Sequence, residues 1–255
     1  MMKVAQSHWF EAVVPSEKRA LQLFCFPYAG GSTQVFRPWQ RHFSSEVSLW
    51  LAHLPGRGRR IAEPPINSLK ELVEVLADAI VPLVRENYAF WGHSMGALIS
   101  FELARELRRR SHALPGALFV SGHRAPQIPS TEPPLFGLPE QDLISHLKRL
   151  NGTPRELLED PEILKLFLPT LRADFQITET YIYAPADPLA CAIYAYGGLQ
   201  DRDVPVGSLQ AWSHQTSRKF TARMFAGDHF FIQSSTANLI NVLSRDVQAE
   251  FLLRA

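Results

Sequence analysis

The chain has 255 residues, 46% of them apolar, and a formal charge of +1. That is enough for one sizeable core with an inserted subdomain, and it gives no general case for nucleic acid or an anionic membrane surface. The N-terminal stretch lacks the apolar core of a signal peptide and no apolar run approaches transmembrane length, so a cytoplasmic protein that meets no membrane is expected.

Short apolar runs alternate with longer amphipathic stretches. In chain order, "ALQLFCF", "SLWLAHL", "YAFWGH", "ALFVSGH", "ACAIYAYGG" and "FTARMFAG" read as strands, nearly continuous in apolar residues, as expected where both faces of a sheet are covered. Between the second and third, Leu69, Leu72, Val73, Leu76 and Ile80 recur at helical spacing, with Ser68 as N-cap and Glu71 completing a capping box. Leu239, Val242, Leu243 and Val247 mark a C-terminal amphipathic helix. This alternation predicts an α/β fold: a mostly parallel, doubly wound sheet with helices on both faces. Cys25 and Cys191, the only cysteines, fall inside such strands, so buried reduced thiols are expected and no metal site is.

Residues 125–183 break the alternation. They carry Pro-rich linkers and helical patterns, with apolar residues that include Phe136, Phe167 and Phe175. We read them as a helical lid inserted into a core formed by residues 1–124 and 184–255, its apolar side chains lining a binding chamber.

The strand "YAFWGH" runs directly into Ser94 and then into the helix "MGALISFELAREL". A serine at such a turn is held in a strained conformation above the carboxyl edge of the sheet. Gly92 and Gly96 are small because backbone packs closely on both sides. The helix N-terminus aims its N–H groups and dipole at the same place. Ser94 is therefore a candidate nucleophile, and it needs a base.

Of the nine histidines, His229 in "FAGDHFFIQ" is the strongest candidate, on a loop after the last strand and before the C-terminal helix. His53 and His123 also fall near strand ends and are not excluded by position, whereas His93 is assigned to packing. For the acid, Asp201 and Asp203 both follow "ACAIYAYGG", and spacing does not decide between them. Asp228 is read as shaping the turn. Oxyanion donors are expected from Met95 N–H and, in the Gly-rich loop "FPYAGGS", from Ala29 N–H. That loop lacks both G-x-G-x-x-G and GK[ST], which argues against a nucleotide site.

Taken together, "FPYAGGS", "LPGRGRR", "GHSMGALISFELAR", "GGLQD" and "GDHFFI" resemble, in order and over nearly the whole chain from about Leu21, the type II thioesterases that serve polyketide and nonribosomal peptide synthetases. The resemblance implies an α/β-hydrolase fold with a small helical lid. It implies hydrolysis of acyl groups from phosphopantetheine arms of acyl- or peptidyl-carrier domains, with no cofactor of the enzyme's own, and an editing role that clears stalled or wrongly loaded chains. It selects Asp201 as the acid, since this aspartate follows the strand glycine Gly198 by three residues, and it supports Ser94, His229, Ala29 and Met95. Carrier domains are usually acidic, so Arg57, Arg59 and Arg60 are candidates for docking or for the phosphate of the arm. A monomer is expected. A general carboxylesterase or lipase, and a non-catalytic acyl-carrier-binding protein on a hydrolase fold, are the competing readings.

Overall fold

A computed structural model describes residues 7–14, 21–150 and 160–252. Among these, seven strands form one sheet in the order β1-β3-β2-β4-β5-β6-β7. They are β1 (Phe10–Ala12), β2 (Leu21–Phe26), β3 (Val47–Ala52), β4 (Tyr88–His93), β5 (Ala117–Ser121), β6 (Ala192–Gly198) and β7 (Phe220–Phe225). All neighbours pair in parallel except β1, which lies antiparallel along β3 with Phe10 opposite Ala52. The six strands read from sequence are all present. β1 is the addition: three residues are too short for alternation to register.

Side chains alternate cleanly between the two faces. Phe24, Phe90, Leu118 and Ile193 project to one side, where they meet α1 (Leu69–Ile80) and α2 (Met95–Arg109). Leu23, Trp91, Phe119 and Tyr194 project to the other, against α7 (Thr236–Val247), which buries Leu239, Leu243 and Val247. Each fully buried large side chain is worth about 1.5–3 kcal/mol, which is why the central strands carry almost no polar residues. The edge strand β7 departs from expectation: much of it stays partly exposed, because no further strand covers it. Cys25 and Cys191 are buried free thiols, and burial raises both thiol pKa values.

Local signals set the helix ends. Ser68 caps α1, its hydroxyl accepting the Glu71 N–H; such a cap contributes about 1 kcal/mol. Between β5 and β6 lie α3 (Glu140–Leu150) and α4 (Pro161–Glu179), with Asp160 capping α4 through the N–H groups of Glu162 and Ile163. Leu143, Leu147, Leu164, Leu168 and Leu171 join these two helices in a small apolar cluster of their own. Part of the expected insertion, at 151–159, lies outside the described residues. Two short helices, α5 (Val206–Gln210) and α6 (Phe231–Ser234), follow β6 and β7. No helix among the described residues is long and apolar enough to cross a membrane.

Candidate active site

Strand β4 ends at His93 and α2 begins at Met95, leaving Ser94 alone to turn the chain. It does so at φ 52°, ψ −118°, a positive-φ conformation that L residues rarely adopt and that stores backbone strain. Its N–H donates to the Ser121 carbonyl at 2.7 Å, tying the turn to the end of β5. The glycines on either side are obligatory. A methyl on Gly96 would stand 2.1 Å from the Phe26 carbonyl oxygen, so the elbow packs directly against the end of β2. That contact brings the loop after β2, with Tyr28 and Ala29, beside Ser94.

The loops after β6 and β7 are zipped together. Leu199 N–H donates to Phe225 O at 2.8 Å and Gln200 N–H to Gly227 O at 2.9 Å. A methyl on Gly198 would meet Asp228 O at 2.4 Å, which explains the glycine three residues before Asp201. This zipper delivers Asp201 to His229: Nδ1 of His229 lies 2.8 Å from Oδ2 of Asp201. The other carboxylate oxygen accepts the N–H groups of Asp203 and Val204, at 3.0 and 3.2 Å. The Asp201 side chain is 0% exposed and that of His229 20%. A carboxylate accepts only, so Nδ1 carries the proton and Nε2 keeps its lone pair free for a proton from elsewhere. Asp203, by contrast, is exposed. Asp228 shapes the turn as expected, accepting the Phe230 N–H at 2.9 Å.

Ser94, Ala29 and His229 share one cavity of about 430 Å³. The β5–β6 connection lines it with Leu135, Leu138, Leu147, Leu171 and Phe175, and with the polar Ser130, Glu132, His146, Thr178 and Glu179. Of the three phenylalanines singled out in the sequence, Phe175 lines the cavity. Phe167 instead lays its ring against Gly30, close enough that a methyl there would meet Cζ at 2.7 Å. Phe136 stands beside the wall, its N–H held by Glu179 Oε2 at 3.0 Å.

The arginines of "LPGRGRR" need correction. Arg57 and Arg60 are buried, not surface cations. Arg57 forms a two-pronged pair with Asp174, at 2.6 Å on both sides. Arg60 is engaged by Glu63 and by the His53 carbonyl, and its guanidinium covers the Trp9 ring at 3.8 Å. Arg59 keeps an exposed side chain, donating to the Ser7 and His8 carbonyls at 3.1 and 3.0 Å.

His53, His93 and His123 separate clearly. His53 pairs with Glu11 at 2.9 Å, away from the cavity. His93 is fully buried and its Nδ1 meets Ser121 Oγ at 2.9 Å, the packing role expected; burial, then the nearby His229, holds its pKa well below the usual value. His123 lines the cavity, and its Nδ1 lies 2.6 Å from the Arg124 carbonyl. Desolvation, then the charge of Arg124, lowers its pKa to about 4, so the ring is neutral with Nε2 an acceptor. Sequence reasoning left His123 open and missed its place on the wall; its position at the end of β5 was the available signal. Asp201, Asp203 and His229 also bring ligand atoms within 4.8 Å of one another, and in the structure His229 and Asp201 are hydrogen-bonded to each other.

A mostly parallel sheet, a strained serine elbow at its carboxyl edge and a histidine–carboxylate pair on the last loops define the α/β-hydrolase class. Within it, the family described as "Thioesterase domain" matches residues 21–246, and the chain belongs to that family. It is 43% identical over 240 residues to the gramicidin S biosynthesis protein GrsT of Aneurinibacillus migulanus, covering 94% of each chain. Among solved structures it resembles the RedJ thioesterase from the prodiginine biosynthetic pathway in Streptomyces coelicolor, with a TM-score of 0.84, 36% identity and coverage of 89% of this chain and 91% of that one. It also resembles YbtT, a type II thioesterase from the yersiniabactin NRPS/PKS biosynthetic pathway, with a TM-score of 0.84, 31% identity and coverage of 95% and 99%.

Proposed function

We propose that this chain is a type II editing thioesterase, which hydrolyses acyl groups from the phosphopantetheine arms of carrier domains in a polyketide or nonribosomal peptide pathway. Ser94 is the nucleophile, His229 the base and Asp201 the acid. His229 Nε2 takes the Ser94 proton as Oγ attacks the thioester carbonyl, and the N–H groups of Met95 and Ala29 hold the oxyanion. The C–S bond breaks, the pantetheine thiol leaves with the proton, and Ser94 carries the acyl group as an ester. Water, deprotonated by His229, attacks that ester; the bond from the acyl carbon to Ser94 Oγ breaks, His229 returns the proton to Oγ, and the free acid is released. A thiolate leaves readily, so acylation demands little acid catalysis.

The observation that carries this reading is the 2.8 Å contact between His229 Nδ1 and Asp201 Oδ2 on the wall of the cavity that Ser94 enters. The relatives' pathways supply the substrate class. The β5–β6 insertion, residues 125–183, acts as the lid and forms the acyl chamber through Phe175 and its leucine neighbours. Carrier contact falls to the exposed face around Arg59, since Arg57 and Arg60 serve the interior. The enzyme works as a monomer in the cytoplasm and carries no cofactor. A fluorophosphonate probe tests the nucleophile: stoichiometric labelling lost in Ser94→Ala is expected, and labelling elsewhere, or none, overturns the assignment.

A further inference from the structure

The buried pair between Arg57 and Asp174 has no part in the chemistry above, yet it reaches the catalytic loop. Asp174 lies on α4 and is 1% exposed. Its Oδ2 accepts not only Arg57 Nη1 but also the Gly30 N–H, at 2.7 Å. The same Nη1 approaches the Gly31 carbonyl at 3.4 Å, and Arg57 Nε donates to Pro55 O at 3.3 Å. One turn earlier on α4, Thr170 Oγ1 donates to Gly56 O at 2.7 Å. The loop after β2, the loop after β3 and α4 are thereby joined through one buried knot.

An apolar filling would serve stability at least as well as a desolvated ion pair, so what the pair holds is the informative part. We propose that Asp174, oriented by Arg57, is a positioning residue for the oxyanion hole. The inference rests on Ala29 N–H being an oxyanion donor. In the trans peptide between Tyr28 and Ala29, the carbonyl and the N–H point in opposite directions. That carbonyl accepts the Gly31 N–H at 2.8 Å, so the Ala29 N–H is turned away from Gly31. The geometry holds only while the turn keeps its shape, and Gly30, at φ 73°, has no Cβ to confine it. The bond from Gly30 N–H to Asp174 supplies a directional restraint, beside the packing of the Phe167 and Leu171 side chains against this residue.

The test uses the full chain, with Asp174→Ala and Arg57→Lys, and an acyl thioester of N-acetylcysteamine as substrate. Two ligands accompany it: an alkyl boronic acid, which forms a tetrahedral adduct on Ser94, and the free acid product. For Asp174→Ala, which removes the acceptor of the Gly30 N–H, we expect kcat to fall tenfold or more with KM changed less than threefold, boronate affinity to weaken by a similar factor, and product affinity to hold. Arg57→Lys shifts the same quantities in the same direction by less. Wild-type-like kcat, or equal losses in product and boronate affinity, overturns the proposal. Amide exchange in the wild-type protein decides the matter even if both variants misfold. Gly30 N–H should exchange as slowly as the amides of α4 around Asp174, and exchange at the rate of an open loop contradicts the tie. Ser94→Ala separates the levels: thioester turnover that survives it sinks the hydrolase reading itself. Turnover lost in Ser94→Ala but retained in Asp174→Ala sinks only the positioning role.

Discussion

Gly92 and Gly96 meet backbone to backbone across the serine elbow: a methyl built on Gly92 would stand 2.0 Å from the Gly96 carbonyl oxygen. No rotamer relieves a clash between main-chain atoms, so Gly92→Ala forces strand and helix apart. Overpacking of this kind costs about 1–3 kcal/mol and sometimes more. The expected outcome is a lowered Tm together with a loss of fluorophosphonate labelling at Ser94 that exceeds the loss of folded protein. A variant that labels at the wild-type rate would show that the elbow tolerates a wider crossing.

The two candidate acids are separable. Asp201→Asn keeps an oxygen for the Asp203 and Val204 N–H groups, so the loop should survive. His229 loses the carboxylate that fixes its tautomer, and in the serine-protease triad the same change costs about 10⁴ in kcat. We expect a fall on the order of a thousandfold or more in Asp201→Asn and less than threefold in Asp203→Asn, read from steady-state kinetics on one thioester. Reversed effects would transfer the role to Asp203.

Stability should fall on mild acidification. His93 and His123 stay neutral in the folded protein, the first held well below its usual pKa and the second at about 4. Both take a proton near pH 6.5 once unfolded. The unfolded state then binds more protons below that pH, and stability decreases from about pH 6.5 downward, for His123 until about pH 4. Glu179, whose carboxyl burial raises, works in the opposite direction nearer its own range. Urea midpoints at pH 7.5 and 5.5 check this, with His123→Gln expected to flatten the slope. A midpoint that rises at the lower pH would contradict it.

Chamber length should be tunable from α4. Phe175 lines the cavity together with Leu138 and Leu147, and Phe175→Ala enlarges it. One methylene in an apolar pocket is worth about 1–3 kcal/mol in discrimination. The ratio of kcat/KM for a decanoyl over a butyryl thioester should therefore rise tenfold or more, and an unchanged ratio would place the acyl chain elsewhere.

Much of this was legible in the sequence, for identifiable reasons. Central strands buried on both faces leave apolar runs such as "YAFWGH", and close backbone packing leaves glycines at 92, 96 and 198. What the sequence hid depends on partners distant along the chain. β1 is too short to show a period. The arginines of "LPGRGRR" look like a solvated cluster until Asp174, more than a hundred residues on, is found against Arg57. Phe167 and Phe175 lie eight residues apart on one helix, yet only Phe175 lines the cavity. Asp201 could be chosen over Asp203 only by resemblance, because the difference between them is burial.

The most direct measurement is release of free acid from acetyl-, propionyl- and longer acyl-loaded carrier protein, run beside nitrophenyl esters of matching chain length, with Ser94→Ala as control. Rapid clearing of the carriers across several acyl groups, lost in Ser94→Ala, is the result expected of a carrier-directed editing thioesterase. Ester turnover with the carriers left loaded would contradict it and leave a general esterase on the same fold.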